Sequence, residues 1–157
     1  MDEQEARRQS LELMSIAEAA FLTTVDREGF PQTRAMVNLR QSDQYPGLTG
    51  LFDGHRDDFL VYLGSNRSSN KVQQVRENPK ASVYYCVPSE WRGLMLGGKI
   101  EIVTDQALKE AIWQDGWERY YPGGVTDPEY TILKLQPEIA KYYRSLDTAE
   151  FSLREEA

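Results

Sequence analysis

Between Ala20 and Arg40 the chain sets two β-rich runs, AFLTTV and PQTRAMVNLR, on either side of Asp26-Arg27-Glu28-Gly29. So short a link between two strand-like runs predicts a hairpin, with Gly29 in the left-handed turn position. The second run alternates: Ala35, Val37 and Leu39 share one side, and Gln32, Arg34, Met36 and Asn38 share the other. The first set is expected to enter a core, and the second makes a face unusually polar for a central strand. A similar pairing follows downstream, ASVYYCV and then GLMLGGKIEIVTD, where Ile100 and Ile102 oppose Lys99 and Glu101 and Gly97-Gly98 predicts a bulge of the kind used at barrel corners. Consecutive hairpins pair antiparallel, whereas a parallel sheet needs a helix between every two strands.

The rest of the chain fits around these pairs. Residues 3–18 carry Ala6, Leu11, Leu13, Met14, Ile16 and Ala17 among charges, predicting a first helix with one packed face. Residues 40–56 hold Pro46 and three glycines and read as a loop. Thr104 or Asp105 caps a helix read as running to Tyr121, with Leu108 and Ile112 on one stripe and Trp113 and Trp117 on another. Those tryptophans fit a ligand-facing wall, a core or a subunit contact equally well. TILKLQPEIAKYYRSL reads as a strand pair or as one strand broken near Pro137, and Phe151 to Ala157 as a frayed end. The whole chain, 1–157, is therefore expected to be one mainly β (α+β) domain, a small closed or nearly closed antiparallel barrel with helices at its rim. The interior of so small a barrel is filled by side chains, so a nucleotide-sized ligand would sit outside it or at a subunit contact. That points to a homodimer.

Charge and composition remove several alternatives. Eighteen Lys and Arg against 25 Asp and Glu leave a net charge of −7, which disfavours nucleic acid and anionic membranes as partners. No run approaches the ~18 apolar residues of a membrane span, and the N-terminal MDEQEARRQS is acidic where a secretory signal is basic, so a cytoplasmic location is expected. One cysteine, Cys86, and one histidine, His55, give neither a disulfide framework nor a zinc set, and no metal site is expected. Cys86 reads as a packed strand residue and His55 as a solvated loop residue. No nucleophile and base pair is visible, which disfavours hydrolysis, and no GxGxxG fingerprint provides a nicotinamide domain.

Residues 57–81, DDFLVYLGSNRSSNKVQQVRENPKA, hold the chemistry. A strand over Phe59–Leu63 breaks at Gly64, passes through serines and asparagines, and enters a helix with Lys71 in its first turn and a stop at Asn78-Pro79. Val72 and Val75 give that helix a narrow buried face. Free amides, hydroxyls and a lysine at a helix N-terminus can hold a phosphate. An ordinary capped helix, with Ser68 or Ser69 closing the turn and Lys71 in water, fits the same residues.

Over roughly Leu13 to Tyr143 the chain resembles the pyridoxamine 5′-phosphate oxidase-like, flavin-binding split barrels, in particular their bacterial general stress protein branch. The resemblance rests on AFLTTVDREGFPQTRAMVN, on Ser65, Ser69 and Lys71 running into Asn78-Pro79, on GGKIEIVTD, and on WQDGWERYYPGGVTDPEYTILKLQP. It implies a Greek-key split barrel of six to seven strands that binds flavin mononucleotide (FMN) at a dimer interface. By resemblance, Arg34 and Lys71 would hold the ribityl phosphate with Ser65 and Ser69, Ala35, Met36 and Val37 would line the isoalloxazine edge through their backbone, and Asn70 would lie in the cofactor site, with Arg67 or Asn70 as the candidates to reach the ring. Trp113 and Trp117, with Tyr120 and Tyr121, would wall the cleft. FAD or a deazaflavin could use the same phosphate corner, and NAD(P)H would visit as a co-substrate. True pyridoxamine phosphate oxidases carry a basic residue where this chain has Leu39, and end in an arginine and histidine pair where it has FSLREEA. Vitamin B6 oxidation is therefore not expected. The implied function is flavin-dependent redox chemistry on an unidentified small substrate, with no catalytic residue assigned; the alternatives are a non-catalytic flavin store or sensor, and a flavin-free dimerisation module.

Overall fold

β1 (Ala19–Val25) and β2 (Pro31–Val37) pair antiparallel from Ala19↔Val37 to Val25↔Pro31. This computed structural model describes residues 1–154. Asp26 builds the hairpin turn, its Oδ1 accepting from the amides of Glu28 and Phe30, and Gly29 adopts φ +86° as the turn requires. The faces of β2 are reversed from the expectation over residues 35–38, while Gln32 is exposed and Leu39 buried as expected. Met36 and the following Asn38 are buried, whereas Ala35 and Val37 are exposed. Asn38 accounts for part of the reversal, since its Nδ2 donates to the carbonyls of Met14 (2.8 Å) and Ala17 (2.9 Å) and so is fully satisfied inside.

Seven strands form one antiparallel sheet in the order β2-β1-β4-β5-β6-β3, with β7 (Asp147–Ser152) also on β6. β6 (Tyr130–Arg144) is a single strand of 15 residues, neither a pair nor broken at Pro137. The proline lies opposite Gly98 of β5 (Arg92–Ile102), where the register shifts, so its missing N–H falls at an existing irregularity. β5 pairs along the whole of β6. On the other side of β6, β3 (Val61–Asn66) takes the first half and β7 the second. The sheet curls until its end strands β2 and β3 approach without hydrogen-bonding to each other, giving the split barrel with peripheral helices.

β3 starts later and runs further than its sequence suggests. Phe59 sits at φ +57° with its ring against Phe151, which holds it out of the strand, and the strand passes through Gly64 to Asn66. Phe151 itself is buried in β7, so the expected fraying does not begin there; residues 155–157 lie outside the described residues.

Helix α1 (Glu3–Ile16) is capped by Asp2, whose carboxylate accepts from the Glu5 amide at 2.8 Å, and it plugs the barrel with Leu13 and Met14. The 40–56 segment is not plain loop: it carries a 3-10 turn at Pro46–Leu48 and helix α2 (Thr49–Asp53). His55 is half-buried and bonds Asp58 through Nδ1 at 3.0 Å, so it is not simply a solvated residue. Helix α3 (Asn70–Glu77) buries Val72 and Val75 and follows directly on β3. Strand β4 (Lys80–Val87) leads into β5. Helix α4 (Gln106–Ile112), capped by Asp105, ends well before Tyr121, because Trp113 leaves helical geometry and Gly116 turns back at φ +91°. No helix among the described residues is long and apolar enough to cross a membrane.

A Cβ on Gly98 would lie 2.6 Å from the Gln136 carbonyl oxygen and 3.2 Å from Pro137 Cα, both backbone atoms that cannot swing aside. Gly98→Val is expected to destabilise the fold by at least about 3 kcal/mol, since the bulge itself must move. Urea unfolding of the two proteins measures this, and a loss under about 1 kcal/mol would show that the bulge is not needed for the β5–β6 register.

Candidate functional site

At the seam, β2, the end of β3 and the start of α3 bring two cations together. Arg34 lies half-buried on the barrel side of β2. Its Nη1 donates to Thr24 Oγ1 at 2.7 Å and to the Leu22 carbonyl at 3.4 Å, and its Nη2 to Gln74 Oε1 at 3.4 Å. Thr24 donates in turn to Gln74 Oε1 at 2.5 Å, and Gln74 Nε2 donates to Gln32 Oε1 at 3.1 Å. Every acceptor around the guanidinium is neutral, so its position is fixed while its charge is left uncompensated. Lys71, in the first turn of α3, is also half-buried. Burial first, and the neighbouring charge of Arg34 second, pull its pKa below the ordinary lysine value. Neither cation has a carboxylate within ion-pair distance among the described residues.

The hydroxyls are arranged beside them. Ser65 is buried at the end of β3, and its Oγ lies 3.1 Å from that of Ser69, the N-cap of α3. Because Ser69 is occupied in this way it makes no side-chain cap to the helix, and the first-turn amides of α3 remain available to an anion. Ser68, the other capping candidate, is held by Glu129 Oε2 through both its amide (3.1 Å) and its hydroxyl (2.7 Å). Asn70 is exposed at the first position of the helix. Two half-buried cations, a hydroxyl pair and open helix amides suit a phosphate ester.

Along β2, the strand rises ~3.3 Å per residue, which sets Val37 about 10 Å from Arg34. As an edge strand bonded only to β1, β2 leaves about half of its backbone groups open to a ligand. A cleft of about 700 Å³ lies beside Ala35, Met36 and Val37, walled by Phe21, Cys86 and Pro88. Burial pushes the Cys86 thiol up.

Trp113 and Trp117 belong to another group. They meet edge to face at 5.9 Å, and both pack on Tyr130 in the second core, between β3, α4 and the 39–52 segment. Tyr121, from the same cluster, reaches the corner by donating its hydroxyl to the Ser65 carbonyl at 3.0 Å. Leu39 is buried in this second core as well. Thr24, Gln74 and Glu129 were not singled out from sequence, because each acts through a partner distant in the chain. The one available hint was Gln74, one turn beyond Lys71 on α3.

Lys71 is a strained charge in the free protein. Its pKa is lower folded than unfolded, so stability rises with pH through the window just beneath the ordinary lysine value and is reduced below it. Lys71→Met is expected to raise the melting temperature at pH 7 by roughly 1–2 °C, with the gap to the native chain narrowing towards pH 10. Differential scanning calorimetry at both pH values checks the sign, and a lowered melting temperature for the variant at pH 7 would contradict the assignment.

The family model for pyridoxamine 5′-phosphate oxidase matches residues 7–144. General stress protein 26 of Bacillus subtilis is 25% identical over 141 residues, 88% of either chain. Among solved structures, a Clostridium acetobutylicum protein related to that stress protein, of the pyridoxinephosphate oxidase family, superposes with a TM-score of 0.77 at 32% identity over 96% of both chains. General Stress Protein 26 of Bacillus anthracis superposes at 0.68 with 17% identity, over 92% of this chain and 98% of its own, a likeness of fold.

Proposed function

The chain belongs to the pyridoxamine 5′-phosphate oxidase family, and on that premise we propose that it is an FMN-binding oxidoreductase acting on a small substrate other than a B6 vitamer. The observation that carries this reading is the pairing of Arg34 and Lys71, two half-buried cations with neutral neighbours and no carboxylate of their own. Such a pair is unfavourable until an anion of matching charge joins it. Ser65, Ser69 and Asn70 complete the phosphate corner, and the backbone of Ala35, Met36 and Val37 offers groups for a flavin edge about 10 Å away, a span suited to a ribityl chain. Bound there, an isoalloxazine supplies the two-electron redox chemistry, with NAD(P)H as a visiting electron donor. The protein orients and shields it.

Shielding calls for a second copy. Outward-facing Phe21, Val37, Tyr84, Met95 and Tyr143 form a largely apolar stripe across β2, β1, β4, β5 and β6, tied where the Tyr84 and Tyr143 hydroxyls bond each other. A homodimer formed through this face would close the cleft beside β2 and turn an open groove into a dry pocket. Trp113 and Trp117, packed within their own protomer's second core, serve in this reading as a wall behind Tyr121 and the Ser65 carbonyl. A cytoplasmic location is part of this reading, and a single cysteine is compatible with it.

Leu39 supports a substrate other than pyridoxine phosphate. It is buried at the position where the B6 oxidases resemble one another in a basic residue, and a charge there would face the second core unpaired. A non-catalytic role in holding or sensing flavin is favoured by the cleft itself, where burial pushes the Cys86 thiol up and away from reactivity as a thiolate. Bleaching of bound flavin by NADPH or NADH without air separates the two roles.

The purified protein is expected to bind FMN with quenching of its fluorescence. Arg34→Ala and Lys71→Ala should each weaken FMN by roughly 10- to 100-fold while changing riboflavin binding less than about threefold, since only FMN carries the phosphate. Equal losses for the two flavins, or no FMN binding by the native chain at high micromolar concentration, would refute the phosphate corner.

A further inference from the structure

A separate cleft of about 500 Å³ opens between α1 and the α2 segment, with neither Arg34 nor Lys71 in its lining. Its floor is apolar and buried, formed by Leu39, Tyr45 and Phe52, with Leu11 of α1 at one side. The two walls are tied together at one end, where Asn38 bonds the last turn of α1 and the Ser42 amide donates to the Ser15 carbonyl at 3.3 Å. The volume lies within the range of small-molecule sites.

Arg40 enters this cleft as a fixed guanidinium. Its Nε and Nη2 donate to the Leu60 carbonyl (3.0 and 2.8 Å), Nη2 also donates to the His55 carbonyl (3.0 Å), and its Cζ lies 4.6 Å over the Phe52 ring. Nη1 has no acceptor among the described residues. The cations at the rim are already paired, Arg8 with Glu5 and Glu12, Arg56 with Asp53. Arg40 has no ion pair within 4 Å among the described residues; the charge of Asp58, which is itself engaged by His55 and the Leu60 amide, acts on it from further away. Burial lowers the Arg40 pKa, a sign that its charge is poorly solvated. Tyr45 and Ser42 also line the cleft, and neither hydroxyl makes a hydrogen bond among the described residues. Burial raises the Tyr45 pKa, so that hydroxyl keeps its proton.

We propose that this cleft binds a small organic carboxylate with a flat apolar body, its head taken by Arg40, Tyr45 and Ser42 and its body by Leu11, Leu39 and Phe52. A monoanion matches one guanidinium whose Nη1 is open, with two lining hydroxyls beside it. A dianion such as a phosphate ester would leave charge unpaired on an apolar floor and meet Glu12 and Asp53 at the rim. The site is independent of the flavin reading, since it shares no residue with the phosphate corner.

Benzoate serves as the probe, with benzamide as its neutral counterpart, each titrated into the full chain and followed by amide chemical shifts. Benzoate is expected to shift the amides of residues 39–53 saturably with a Kd of about 1 mM, reasonable for a ligand of this size, and benzamide to bind at least about tenfold more weakly. Thr49→Trp, at an exposed position of the lining, adds bulk to the cleft while keeping the Arg40 side chain, and should abolish the shifts. Arg40→Gln should erase the preference for benzoate. Because Arg40 also ties two backbone carbonyls, the comparison of benzoate with benzamide on the unaltered chain tests charge recognition without any variant. The proposal is overturned by absence of saturable shifts up to about 20 mM benzoate, by equal binding of benzamide, or by a Thr49→Trp protein that binds as the native chain does.

Discussion

The pairing of β6 with three other strands is the constraint on which the fold depends. β5 follows β6 for its whole length, and β3 and β7 share the opposite edge. A strand of 15 residues in a sheet twisting right-handedly cannot stay flat, and the register shift at Gly97/Gly98 is where it bends. The bend directs the first half of β6, with β3, back towards β2. Without it the sheet would remain open, and Arg34 on β2 would be far from Lys71 on the helix that follows β3. A local irregularity between two glycines and a proline thus sets the geometry of a site built from other segments.

Local signals made most of this visible in the sequence. The Asp26 to Gly29 turn, the double glycine, the Asp105 cap and the Val72/Val75 stripe each depend on neighbours within a few residues, and the structure places all of them as their chemistry suggests. The misreadings concern features decided at a distance. The alternation of β2 was right in period but not in face, because Asn38 finds two carbonyl acceptors on α1 and so is cheaper to bury than its polarity implies. Pro137 suggested a break only because its partner, the bulge on β5, lies almost 40 residues earlier. Phe151 looked like part of a tail, yet Phe59 and α1 wait for its ring. The candidate site divides in the same way: the charged groups were legible as residue types, and the groups that hold them in place were not.

Those holding groups decide what the corner can do. A carboxylate in place of Gln74 would hold Arg34 just as firmly, but it would also cancel the charge an anion must find. Thr24, Gln74 and the Leu22 carbonyl fix the guanidinium through dipoles alone. The cost appears on Lys71, whose pKa falls because its charge is half-buried beside another cation. Stability is therefore given up in the free protein, and on the proposed reading an anion bound there would restore it. Arg92 is the contrasting case. It is more deeply buried than Arg34, yet it bonds Tyr142 and the Gln9 carbonyl and lies 3.6 Å from Glu12, so its charge is fully used within the chain and serves to seat α1 on the barrel. Burial alone does not distinguish a structural arginine from a binding one; the charge of the partners does.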